Sequence, residues 1–238
     1  MNHEVLNQPP PLVDVDLLAA DAALATGLAR EGGAWAEAEL HALGRLATSE
    51  TTQTWARTAN ASPPVLHSHD RYGHRIDEIE YHPDYHRLMG VAVGHGLHGA
   101  PWSDPRPGAH VARAAGFFLW SQAEAGHGCP ISMTYSIVPA LRAEPSVAAV
   151  WEPRLTTREY DPSYRSAAQK PGAIAGMAMT EKQGGSDVRA NTSFAVADGD
   201  GYRLTGHKWF CSAPGSDLFL MLARTEAGIT CLDRKSVV

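Results

Sequence analysis

Cysteine is scarce in this chain, and long hydrophobic runs and dense basic runs are missing from it. Three cysteines, Cys129, Cys211 and Cys231, are odd in number and far apart. They form no disulfide framework and no metal-binding spacing, which fits a reducing, cytoplasmic setting. No stretch of about eighteen apolar residues occurs, so a membrane-spanning helix is excluded. The 20 Lys and Arg are scattered and the formal net charge is -6. A phosphate backbone rewards clustered cations, so nucleic-acid binding by the chain as a whole is not expected. Met1 to Pro11 carries an acid and three prolines, with no basic start or apolar core, so it does not read as a signal peptide.

What is present first reads as helix. Asp14 or Asp16 caps a helix carrying Leu17, Leu18, Leu24 and Leu28, stopped by Gly32-Gly33. A second runs from Ala34 to about Ala47, and a third from about Thr48 to Thr58 before Ser62-Pro63-Pro64. Pro83 suits the first turn of another. Five glycines and three prolines between Gly90 and Gly108 make the later part of that stretch a connector. Ala109 to Ala125 is predicted as one helix, ended by Gly126-His127-Gly128, and Pro130 starts the next. Past Asp161-Pro162 the pattern becomes short strands at Ala173 to Met179, Thr192 to Ala197, Tyr202 to Thr205 and Leu218 to Ala223. Asp198-Gly199-Asp200-Gly201 joins two of them as a hairpin. Helices followed by strands imply two segregated units in an α+β chain.

One segment carries chemistry: Ala178-Met179-Thr180-Glu181-Lys182-Gln183-Gly184-Gly185-Ser186-Asp187-Val188-Arg189-Ala190. Two glycines let backbone amides approach a ligand closely, and Thr180 and Ser186 place a hydroxyl at each end. Taken alone, Gly-Gly-Ser-Asp reads as an ordinary turn. The twelve histidines form no His-Glu-x-x-His, and pairs such as His82 and His86 lack a third ligand, so no metal site is expected. His67-Ser68-His69-Asp70 is contiguous and does not read as a hydrolase triad, which assembles in space.

The signature segment resembles that of the acyl-CoA dehydrogenases, in the adaptive-response (AidB-like) branch. Leu6-Asn7-Gln8-Pro9, Ala34-Trp35, Asn60 to Pro64, Arg75 to Met89, Val111-Ala112-Arg113-Ala114-Ala115 and Gly206-His207-Lys208-Trp209-Phe210 resemble the same branch. The resemblance implies an N-terminal all-helical domain (1–160) and an incomplete antiparallel β-barrel-like domain (161–232). The family's C-terminal helical domain would be missing, and 233–238 would be a non-native tail cutting the last strand. The implied activity is FAD-dependent α,β-dehydrogenation of an acyl-CoA, as an AidB-like DNA-alkylation-response protein. The alternative is a flavin-carrying DNA-protective protein with vestigial activity.

The resemblance further implies that the backbone of Met177, Ala178 and Met179 and the Thr180 hydroxyl face the flavin. Gly185 sits within the loop, and Ser186 reaches the flavin diphosphate or the pantetheine arm of acyl-CoA. Phe210, Cys211 and Ser212 form a second flavin segment, with the family tryptophan displaced to Trp209; the alternative is an aromatic strand packing the β-domain core. Glu181 and Asp187 are expected to shape the loop. Lys182 stands where many members have proline, which puts ordinary fatty acyl-CoA substrates in doubt. No catalytic base is assigned, because Glu144, Glu152, Glu159 and Glu226 lack the right context. DNA contacts and assembly into homotetramers are implied only for the missing C-terminal region.

Overall fold

Asp16 and Asp21 each accept a bond from the amide three residues on, Ala19 N and Leu24 N, and so start the first two helices. The computed structural model describes residues 3–235. The helix expected across Leu17 to Leu28 is therefore broken, because Asp21 ends α1 (Leu17–Ala20) and caps α2 (Ala22–Arg30). After a short 3-10 turn come α3 (Glu37–Thr48) and α4 (Glu50–Ala61), the latter capped by Ser49. Two short strands that the sequence reading missed, β1 (Val65–His69) and β2 (Arg75–Glu80), form an antiparallel hairpin. It is tied to the rest by Tyr164, whose hydroxyl donates to Ile79 O at 2.6 Å and accepts from Ile79 N at 3.1 Å.

His82 and Pro83 start α5 (Pro83–Gly94), as expected of a proline at the first turn. The short α6 (Ala100–Ser103) follows, then α7 (Ala109–Trp120), α8 (Gly128–Leu141) and α9 (Pro145–Leu155). The expected helix Ala109 to Ala125 stops five residues early. Glu124 instead turns its carboxylate onto the amides of Gly126 (2.6 Å) and His127 (2.9 Å), which lead into α8.

Two clusters hold the helices together. Leu18, Leu28, Leu40 and Leu119 join the first three helices to α7; Leu43, Leu88, Met89, Trp120 and Ile131 join α3, α5, α7 and α8. A third cluster spans helices and sheet, with Ile137, Leu141, Trp151 and Leu155 facing Ala175, Leu218 and Leu220.

The sheet contains β3 (Ala175–Ala178), β4 (Phe194–Asp198), β5 (Gly201–Thr205), β6 (Leu218–Thr225) and β7 (Gly228–Lys235). It is mixed where an antiparallel unit was expected. β6 runs parallel to β3, from Ala175↔Leu218 to Ala178↔Met221, and antiparallel to β7. The β4–β5 hairpin, turning at Asp198 and Gly201 as expected, joins β6 through Phe194↔Arg224. β7 continues through Asp233, Arg234 and Lys235 rather than being cut at Leu232, because β6 offers paired backbone back to Leu218. Ser236, Val237 and Val238 of the expected tail lie outside the described residues.

The sheet is docked on α8 by one buried hydroxyl. Thr134 Oγ1 accepts from Ala175 N at 2.9 Å and donates to Pro130 O at 2.8 Å, with Thr134 fully buried. Thr134→Val keeps the volume but leaves the Ala175 amide without an acceptor. A loss of about 1–3 kcal/mol in chemical denaturation is expected; an unchanged midpoint would show that the docking does not depend on this bond.

Candidate functional site

The signature loop leaves the C-terminal end of β3 and folds back at once. Glu181 N bonds Gly184 O (3.3 Å) and Gly184 N bonds Glu181 O (3.0 Å), so Lys182 and Gln183 form the exposed corner of a tight turn. Gly185 then passes over Thr180, where an added Cβ would meet Thr180 Cγ2 at 3.0 Å. Asp187 accepts from Arg189 N at 3.1 Å and caps the short 3-10 turn Val188–Ala190. Arg224, on β6, steadies that turn by donating through Nε to Asn191 O at 2.7 Å and through a second nitrogen to Arg189 O.

Glu181 is the organising side chain of the site. Its carboxylate is 2% exposed as a residue and accepts from Thr192 N (2.7 Å), Thr192 Oγ1 (2.9 Å), Ser193 N (2.9 Å) and Lys208 Nζ (3.0 Å). Burial alone would push its pKa up. The amides of Thr192 and Ser193 and the Lys208 ammonium outweigh burial and hold it well below the carboxylate range. Both partners of the pair are buried, with side chains 1% and 5% exposed. Glu181 is thus fully occupied in shaping the loop, as the sequence reading expected of it.

Through Lys208 the loop is fastened to the segment after β5. Lys208 Nζ also lies 3.4 Å from Met179 O, Trp209 N donates to Thr180 O at 3.0 Å, and Asn191 Nδ2 donates to Met179 O at 2.7 Å. Gly206 makes this approach possible. A Cβ there would sit 2.2 Å from Ser193 Oγ and 2.6 Å from Ser193 Cβ. The two segments nominated from sequence, Met177–Ser186 and Phe210–Ser212, are therefore brought side by side.

Among the described residues, the hydroxyls of Thr180, Ser186 and Ser212 have no hydrogen-bond partner, nor do the amides of Gly185 and Ser186. Phe210 is 82% exposed and takes φ 60°, a conformation costly for a residue with a large side chain. Trp209 is half exposed, with Lys182 Nζ 5.4 Å from its ring centroid. The expected alternative of an aromatic packed in the β-domain core does not describe these two rings. Cys211 is partly buried, which pushes its thiol pKa up.

Ser212 opens onto a cleft of about 530 Å³ between the β5–β6 loop and the helical region, also lined by Tyr85, Glu124, His127 and Cys129. His127 is 1% exposed, and its Nδ1 lies 2.7 Å from Glu124 Oε2. That bond, outweighing burial together with the amides of His127 and Gly126, holds the Glu124 pKa down to about 2. Neither residue was nominated from sequence. The spacing Glu-Ala-Gly-His, with two donors within three residues of an acid, was the only available signal.

Of the four glutamates weighed as a base, two are held by neighbours. Glu144 caps α9 through Ser146, and Glu152 pairs with Arg142 at 2.5 Å. Glu226 lies in the β6–β7 turn, and Glu159 in the stretch between α9 and β3.

Two outcomes follow from the charges. Glu181→Ala leaves a buried ammonium and two amides without partners, so a loss of about 3–5 kcal/mol in urea denaturation is expected. The double variant Glu181→Ala, Lys208→Ala should lose less than the two single losses combined; strict additivity would deny the coupling. Glu124, at about 2 against an ordinary 4.5, has a folded pKa below its unfolded one. Its stabilisation is complete above pH 4.5 and lost as pH falls toward 2, and Glu181 acts in the same sense. The thermal midpoint should drop across that window, less steeply in Glu124→Gln; equal slopes would contradict this.

A family model for the adaptive response protein AidB N-terminal domain matches residues 7–162, and one for the acyl-CoA dehydrogenase middle domain matches 176–236. Over 233 residues the chain is 44% identical to AidB of Escherichia coli (strain K12), covering 96% of this chain and 43% of that protein. It is 32% identical over 191 residues to acyl-CoA dehydrogenase family member 11 of Caenorhabditis elegans, covering 79% of this chain and 30% of that one. Among solved structures, C. elegans ACDH-11 in complex with C11-CoA superposes with TM-score 0.77 at 26% identity, over 98% of this chain and 40% of that one. The apo-form of Bd2924 gives 0.82 at 28%, over 97% and 48%. The chain thus spans less than half the length of these relatives. With both its helical region and its sheet matched in chain order, the chain belongs to the acyl-CoA dehydrogenase family, in the AidB branch.

Proposed function

We propose that this chain forms the flavin-facing part of an FAD-dependent acyl-CoA dehydrogenase. The carrying observation is the set of unpartnered donors at Thr180, Gly185, Ser186 and Ser212, on two segments clamped by a buried ion pair. A loop pinned internally at Glu181, Gly184 and Asp187, yet which leaves these donors outward, fits a large polar ligand better than an ordinary turn. The exposed, strained Phe210 fits the same ligand, since a flat ring placed against it would recover the burial it lacks.

Bound FAD would supply the hydride acceptor for α,β-dehydrogenation of an acyl-CoA thioester. In this reading the backbone of Met177, Ala178 and Met179 and the Thr180 hydroxyl hold the ring system. Gly185 and Ser186 present amides and a hydroxyl to the flavin diphosphate or to the pantetheine arm. Phe210 and Cys211 shield the ring from water, and Ser212 donates its hydroxyl from the cleft side. Lys182, at the exposed corner beside Trp209, sets a positive charge at the loop's outer edge. The proton acceptor is not assigned to this chain. The relative solved with C11-CoA supports a thioester as the second ligand, and the adaptive-response name of the matching family supports a role in that response.

Equilibrium titration of the chain with FAD, followed by quenching of flavin fluorescence, tests the reading. Saturable binding is expected, weakened roughly fivefold, or about 1 kcal/mol, by each of Thr180→Val and Ser212→Ala. No saturable quenching, or variants that bind like the wild type, would overturn it.

A further inference from the structure

At the other end of β3 from the signature loop lies a cleft of about 300 Å³. It is bounded by α9, by the stretch between α9 and β3, and by the residues just before β6. One wall is apolar, built from Val150, Trp151, Ala167 and Ala168. Arg154 stands on the same helix and lines the cleft. Its Nη1 donates to Val150 O at 2.6 Å, while its Nε is buried and has no acceptor.

The other charges here are matched. Arg165 pairs with Asp161, and Lys170 pairs with Asp217 at 2.8 Å while Asp217 also accepts from Ile174 N at 3.0 Å. Among the described residues Arg154 has no carboxylate within ion-pair distance. The buried Nε is closed off from the cleft, so the remaining N–H groups of this unpaired guanidinium are the ones left to take an oxygen from an occupant. Guanidinium geometry favours a planar oxyanion held through two N–H groups. Asp217 also lines the cleft, but Lys170 and the Ile174 amide neutralise it. Ser166 adds a hydroxyl with no partner among the described residues.

We infer that this cleft binds a small molecule carrying an oxyanion, with its apolar body against Trp151 and its anionic group on Arg154. The volume is at the lower end for ligand pockets, which limits the occupant to a compact acid. A carboxylate and a phosphate share the chemistry that Arg154 recognises, so benzoate and inorganic phosphate are the probes.

Calorimetric titration of the chain with each, alongside the NMR resonance of the Arg154 Nε–H, tests this. At least one probe should bind and shift that resonance, and Arg154→Gln should weaken binding at least tenfold. Arg154→Lys, keeping charge without the fork, should lie between. Tighter benzoate identifies a carboxylic acid as the occupant, and tighter phosphate a phosphorylated one. Neither probe moving the Nε–H resonance would overturn the inference even if Arg154→Gln fails to fold, as would wild-type affinity in Arg154→Gln.

Discussion

The buried pair of Glu181 and Lys208 is the constraint on which the candidate site depends. Two ions at 3.0 Å, both almost without solvent, are stable together only if the remaining lone pairs are also satisfied. Here the Thr192 and Ser193 amides and the Thr192 hydroxyl complete that set. The pair thereby fixes three segments at once: the turn after β3, the start of β4, and the stretch after β5. Everything else at the site, including the free hydroxyls and the exposed Phe210, is presented from that frame.

The frame needs a rigid support, and the helices provide it. Trp151 and Leu155 of α9 and Ile137 and Leu141 of α8 cover one face of β3 and β6. Thr134 and the Lys170–Asp217 pair satisfy the polar groups that this packing buries. β3 is only four residues long. Its position comes from this packing and from its parallel pairing with β6 more than from its own strand propensity.

Much of this was legible in the residues because it is local. Proline at a helix start, Asp-Gly at a hairpin and glycines in the signature loop each act within a few residues, and those elements appear where expected. The misses have a common physical origin. Asp21 breaks a helix by capping the next one, and Glu124 holds the turn of Gly126 and His127 that precedes α8, outcomes that hydrophobic spacing does not reveal. In the β1–β2 hairpin β1 is exposed throughout, β2 is partly buried only at Ile76, Glu78 and Ile79, and Tyr164 holds it from 85 residues away, so no alternating apolar pattern marks it. The Thr180, Ser186 and Ser212 hydroxyls, expected from sequence to meet the flavin or the acyl-CoA, have no hydrogen-bond partner among the described residues. What placed them together, Lys208 reaching across 27 residues to Glu181, could not be read from spacing.

The direct test of the clamp is amide hydrogen exchange in Lys208→Met compared with the wild type. If one ion pair holds the site together, protection at Thr192, Ser193 and Trp209 should fall together, with the helical core around Leu88 and Trp120 unaffected. Wild-type protection at Trp209 in the variant would show that the two segments are held independently, and would contradict the account.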